Sequence, residues 1–207
     1  MTEKKTCLIC NRKTQNYLYI CNSCLELFSP KAEKVVKDFS YVDEAFACFY
    51  YGSLLRDSIT SFKFYKKRYL GKVFGELLTD KIFYLGLNKK VDLIIPVPVH
   101  KKTLVERGFN QVELLADEVS LNTKIQVDAN NLIKIKKTLE QARLDRSSRA
   151  TNLADSFAIK RPEAIKDKNI LLLDDVITTG STVEECAKLL KNAGAKKIYA
   201  ISIATSH

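Results

Sequence analysis

The 207-residue sequence has only seven glycines, four prolines and two histidines. So little glycine and proline, beside an ordinary apolar content, excludes a collagen-like fibre and global disorder. Long hydrophobic runs are also missing. The apolar stretch Leu93–Val99 is too short to span a bilayer and is interrupted by Pro96 and Pro98. The first residues, Met-Thr-Glu-Lys-Lys followed by polar side chains, hold no apolar core of a secretory signal. The expectation is a cytoplasmic protein with reduced thiols and no transmembrane segment. His100 and His207 make no pair with a suitable cysteine or serine, so a hydrolytic triad has no support. Neither Gly-x-x-x-x-Gly-Lys nor Gly-x-Gly-x-x-Gly occurs, which removes the nucleoside-triphosphatase loop and the dinucleotide fingerprint. There is no internal repeat and no low-complexity tract.

The charge that is present is mostly positive: 34 basic residues face 24 acidic ones, a net +10. The excess is spread over both halves of the chain. It serves solubility, or it meets an anionic partner such as nucleic acid or phosphates. The length suits one full domain with a small appendage, and the cysteines show where the appendage lies. Cys7-x-x-Cys10 and Cys21-x-x-Cys24 fall in a stretch without apolar periodicity. Two such knuckles put four thiolates on tight turns, the donor set of a closed, structural zinc site. A pair of redox motifs is the alternative. The reading is a four-cysteine zinc finger over residues 1–28 and an α/β domain over residues 29–207. Cys48 and Cys186 stand in apolar surroundings and read as core.

Beyond the finger, Ser29-Pro30 reads as a helix start. Residues 43–51 read as a strand, and Leu54, Leu55, Ile59 and Phe62 recur at helical spacing. A second amphipathic helix covers Gly71–Leu85. Val91–Val99 reads as a buried strand running into a proline-stiffened loop. Asn110-Gln-Val-Glu113 and Thr182-Val-Glu-Glu185 both have the form of a capping box. Leu132–Ile135, Asn169–Leu173 and Lys197–Ala204 complete the strands. Strand, helix and strand in alternation imply a parallel sheet.

The most informative segment is Leu171-Leu-Leu-Asp-Asp-Val-Ile-Thr-Thr-Gly-Ser-Thr182. An aliphatic strand delivers Asp174 and Asp175 at its C-terminal end, where ligands of open parallel sheets bind. A turn at Gly180 follows, flanked by Thr178, Thr179, Ser181 and Thr182, and a helix begins at once. Free amides at a helix start suit a phosphate dianion. The two carboxylates repel that phosphate, so they address a cation or sugar hydroxyls nearby. A phosphorylated ribose satisfies both demands.

This segment resembles the 5-phosphoribosyl-1-pyrophosphate (PRPP) motif of type I phosphoribosyltransferases. The resemblance implies that Asp174 and Asp175 hold the ribose hydroxyls, and that Val176 and Thr178–Thr182 line the 5′-phosphate site. Ser181 departs from the glycine of many members. Four further segments follow in order: Pro96-Val-Pro-Val-His100, Arg107-Gly-Phe-Asn-Gln111, Thr138-x-x-Gln141-x-x-Leu144 and Arg149-x-x-Asn152-Leu153-x-x-x-Phe157. Together with the cysteines they are similar to the ComF family of competence proteins over nearly the whole chain.

That similarity implies a zinc finger on a parallel-sheet, type I phosphoribosyltransferase-like α/β domain. It places Val97, Pro98 and Val99 in the pyrophosphate loop, where Lys101, Lys102 and Arg107 can meet the diphosphate, with magnesium accompanying PRPP. It implies a role in DNA uptake during natural transformation, with single-stranded DNA as ligand and other DNA-uptake proteins as partners. The location it implies is the cytoplasm, up to the inner face of the membrane. Transfer of phosphoribose to a base or other nucleophile is the alternative function, with Asp174, Asp175 and Arg107 as catalytic residues. Lys63, Lys66, Lys67 and Arg68, interleaved with Phe64, Tyr65 and Tyr69, form a candidate single-strand platform. Arg143, Arg146 and Arg149 follow a nucleic-acid backbone or close over PRPP.

Overall fold

The computed structural model describes residues 5–14, 19–28, 34–35, 37–65, 67–136 and 156–206. The expected helix start at Ser29-Pro30 lies outside them. Aliphatic, β-branched runs supply the strands of the main sheet. These are β3 (Glu44–Tyr50), β4 (Leu93–Pro96), β5 (Gln126–Val127), β8 (Asn169–Ile177) and β9 (Lys197–Thr205). They pair in the order β3-β9-β8-β4-β5, and every pairing is parallel. Ile170–Leu173 of β8, between two neighbours, are fully buried, as a strand covered on both faces requires.

Side chains alternate across that sheet and build two cores. Leu171 and Leu173 join Ile94 and Ile201 on one face, under α2 (Ser53–Phe64), α3 (Leu70–Tyr84) and α5 (Gln111–Thr123). Ile170 and Leu172 join Ile95 and Ala200 on the other face, under α6 (Ser181–Asn192) and the antiparallel pair β6 (Leu132–Lys134) and β7 (Phe157–Ile159). α3 and α5 pack closely at Gly75, where a Cβ would come within 2.5 Å of Glu118.

The cysteine-rich segment forms the short pair β1 (Lys5–Thr6) and β2 (Lys13–Thr14) and the turn of helix α1 (Asn22–Leu27). It is not an independent bead. Cys7, Ile20, Cys24 and Phe28 are buried in the α2–α3–α5 core. Phe28 meets Phe49 edge-on at 5.6 Å and stacks on Phe74 at 6.3 Å. Burying a ring of this size is worth roughly 2–3 kcal/mol, so the segment and the sheet stabilise each other.

The chain leaves β4 through α4 (Lys101–Arg107) and α5 toward β5, and it leaves β8 through α6 toward β9. Neighbouring strands β4 and β8 are therefore left in opposite directions. A crevice opens at their C-terminal ends, the place where ligands of such sheets bind.

Two local readings change. Helix α6 begins at Ser181, capped by Gly180 at φ +84°, rather than at a Thr182 capping box. The left-handed glycine turns the chain straight into the helix, which draws Thr182 into its first turn. The loop after β4 contains α4, whose cap is His100: its Nδ1 accepts from the Lys102 amide at 3.2 Å.

Candidate functional site

The crevice is built from β8 outward. Beyond Leu173 the alternation of the strand sends Asp174 and Asp175 to opposite faces, so the two carboxylates meet different neighbours. Asp175 is 5% exposed and faces the α2–α5 side. Lys63 Nζ, from the end of α2, donates to its Oδ1 at 2.8 Å, and Gln111 Nε2, from the first turn of α5, donates to its Oδ2 at 3.0 Å. Burial alone would lower the Lys63 ammonium, but the Asp175 carboxylate outweighs it and raises the pKa, so the pair is ionic.

Asp174 is half-buried on the α6 side, and its Oδ1 accepts the Asp175 amide at 2.8 Å. Burial, then the charge of Asp175, pushes its carboxyl up to about 7, against the pull of Lys63 and Lys134. One acid is thus taken up by Lys63 and Gln111, while its neighbour titrates near neutrality.

The phosphate-type loop is tied at its start. Ser206 Oγ donates to the Thr178 carbonyl and Thr205 Oγ1 to the Ile177 carbonyl, both at 2.9 Å. Thr179 and Ser181 hydroxyls lie 3.0 Å apart, and the Ser181 amide reaches Thr179 Oγ1 at 3.4 Å. Val176 flanks the loop, half-buried against the α2–α5 core. A strap of residues 37–41 crosses over it. A Cβ at Gly180 would come within 2.7 Å of the Phe39 ring and 3.3 Å of Lys37 Cδ. Glu184, in the first turn of α6, accepts the amides of Ser40 at 2.7 Å and Tyr41 at 3.2 Å. No local sequence signal announces the strap, because its partners lie more than 140 residues away.

Across the crevice Val97 is buried, with its amide on the Leu173 carbonyl, while Pro98 and Val99 are half-buried. Lys101 and Lys102 are exposed at the start of α4. Arg107 ends that helix before Gly108, at φ +79°, and its guanidinium lies 4.7 Å over the Phe64 ring. Lys63 turns inward to Asp175 instead of pointing outward with Lys67 and Arg68. Lys67 is exposed, and Arg68 sits 5.3 Å over the Phe109 ring. Phe64, Tyr65 and Tyr69 are all exposed beside them. Lys66, Arg143, Arg146 and Arg149 lie outside the described residues.

The four cysteine sulfurs lie within 4.8 Å of one another, and Cys10 and Cys21 Sγ are 3.7 Å apart. A tetrahedron of sulfurs around zinc has edges of about 3.8 Å for Zn–S bonds of 2.3 Å. The donors therefore fit zinc. Burial opposes ionisation of Cys7, but the Cys10, Cys21 and Ile9 amides bring its pKa down to about 7; burial and the neighbouring thiols push Cys24 up. One thiolate forms readily, and a divalent cation is what lets the others follow. Among the described residues no other cluster of three or more such groups occurs.

These elements define a class: a parallel sheet with an acidic strand end and an amide-lined bend, matched over residues 76–207 by the family model of the phosphoribosyl transferase domain. Relatives extend the match to the finger. The chain is 31% identical to Competence protein F of Haemophilus influenzae, over 96% of this chain and 83% of that protein. It is 28% identical to the DNA utilization protein YhgH of Escherichia coli O157:H7, over 95% and 82%. With Competence protein ComFC of Streptococcus pneumoniae it shares 30% identity over 76% and 66%. The chain belongs to the ComF family of phosphoribosyltransferase-domain proteins.

Proposed function

We propose that this chain acts in DNA uptake, binding single-stranded DNA and a phosphorylated ribose such as PRPP on the cytoplasmic side of the membrane. The observation that carries the reading is the 31% identity to Competence protein F along 96% of the chain. Among the described residues no helix is long and apolar enough to cross a membrane. The 5′-phosphate would sit at the start of α6 on the amides of Thr178–Thr182, and the sugar at the β8 rim. Lys67, Arg68 and the exposed rings of Phe64, Tyr65 and Tyr69 would take the DNA, cations on phosphates and rings on bases.

A transformation assay on a deletion strain, complemented with the wild-type chain, tests the role; undiminished transformation in the deletion strain rejects it. Titration with fluorescent single-stranded DNA at rising salt tests the DNA contact. Affinity should fall steeply as counterions compete, and a salt-independent affinity would point away from phosphate binding.

A second reading is phosphoribosyl transfer, favoured by the pair of acids beside the amide-lined bend. An acceptor attacks C1 of PRPP, the bond to the diphosphate breaks, and pyrophosphate departs with its electron pair. Arg107, released from Phe64, would stabilise that leaving group. Magnesium supplies charge neutralisation of the diphosphate when bound. Pyrophosphate release across a panel of nucleobases checks this. Silence across the panel, with PRPP bound, assigns PRPP to a binding role.

A further inference from the structure

Among the described residues, the buried side-chain polar atoms around the β8 rim are satisfied with one exception. Gln111 is 3% exposed, and its Oε1 has no hydrogen-bond partner. The other such atom among the described residues, Asn169 Oδ1, lies at the opposite end of β8. An unpaired buried acceptor is costly to maintain and calls for an explanation.

The orientation of the Gln111 amide is chemically forced. Asp175 is ion-paired to Lys63 at 2.8 Å and accepts from Gln111 Nε2 at 3.0 Å. A flipped amide would set carbonyl oxygen against carboxylate. The backbone is fixed as well, because Asn110 Oδ1 caps α5 by accepting the Val112 amide at 3.0 Å. Gln111 therefore cannot swing its oxygen into solvent without giving up Asp175. The missing donor is an ordered water or a hydroxyl brought by a ligand. Since Lys63 and Asp175 already balance each other's charge, a neutral hydroxyl suits the place better than a cation.

We propose that Gln111 is a sugar contact: its Oε1 accepts an O–H from the ribose ring of a phosphoribose bound at the β8 rim. The inference rests on the phosphoribose reading above and deepens it. The site then recognises the sugar as well as the phosphate, through an amide anchored on Asp175 in addition to the acids themselves.

The test uses the full chain with its metal and two probes, ribose 5-phosphate and inorganic phosphate. The side-chain amide resonances of Gln111, assigned by their loss in Gln111→Met, should shift with ribose 5-phosphate and stay in place with inorganic phosphate, which fills the loop alone. Gln111→Met should weaken ribose 5-phosphate by about tenfold, the loss for one hydrogen bond to a buried group, and leave phosphate affinity unchanged. The inference is overturned if ribose 5-phosphate moves the Thr179–Ser181 resonances but not Gln111, if phosphate moves Gln111 equally, or if the variant loses both probes by one factor. If ribose 5-phosphate fails to bind the wild type, the phosphoribose reading itself falls and takes the inference with it. Should Gln111→Met not fold, the wild-type resonances still decide.

Discussion

Asp174 and Asp175 share a peptide bond but not an environment, and the difference is measurable. Replacing Asp175 by alanine leaves Lys63 charged with a side chain only 22% exposed. Breaking such a pair should cost about 3 kcal/mol, the low end for buried pairs because Lys63 keeps some water. A lower urea midpoint at unchanged slope reports it; a midpoint like the wild type's would mean that Lys63 finds another partner. The family resemblance implies the same role, holding ribose hydroxyls, for both acids. The ion pair gives Asp175 a structural share.

Asp174 behaves in the opposite sense. Its carboxyl is raised from 3.8 to about 7 by burial and by Asp175. The folded chain therefore binds that proton more tightly than the unfolded one. The stability it contributes is present below about pH 4 and is lost as pH climbs toward 7. Asp174→Asn mimics the protonated form, so it should raise the urea midpoint at pH 8 and change it little at pH 4. An equal gain at both values would assign the effect to packing.

At the scale of elements, the strap over the α6 start ties the segment after the finger to the loop proposed to hold phosphate. Gly180 serves twice there: its φ of +84° starts the helix, and its missing Cβ admits Phe39. Gly180→Ala should cost about 1–3 kcal/mol for the strained backbone, plus the clash with the ring. Adding Phe39→Ala should return the clash part only, so the double-mutant cycle shows coupling. Strict additivity would mean that the ring does not rest on the loop. The capping motifs also divide at this scale. Asn110 does cap α5, yet Glu113 takes its side-chain amide at 2.9 Å instead of its backbone, so the box is only half formed.

For the whole molecule, the cysteine cluster and the sheet share one core through Cys7, Ile20, Cys24 and Phe28. Metal analysis should give one zinc per chain. Chelation, or Cys7→Ser with Cys21→Ser, should lower the melting temperature of the entire chain in one transition, since losing the finger strips cover from Phe49 and Phe74. Two separate transitions, with the sheet melting unchanged, would show the segments to be energetically independent.

Much of this was legible in the residues because its causes are local. Apolar runs flanked by helical periodicity gave away β3, β4, β8 and β9, and the Asp-Asp-to-Thr182 segment marked the candidate site, since a strand end, a glycine turn and a helix start are written in consecutive positions. The cysteine spacing announced the four-cysteine cluster for the same reason. Contacts between distant segments were decided by the tertiary structure alone. Lys63 had the look of a surface cation within its basic run, Gln111 of an ordinary first-turn residue, and Phe39 of loop. Each owes its place to a partner 64 to 141 positions away. Packing sets such pairings, and no periodicity along the chain encodes them.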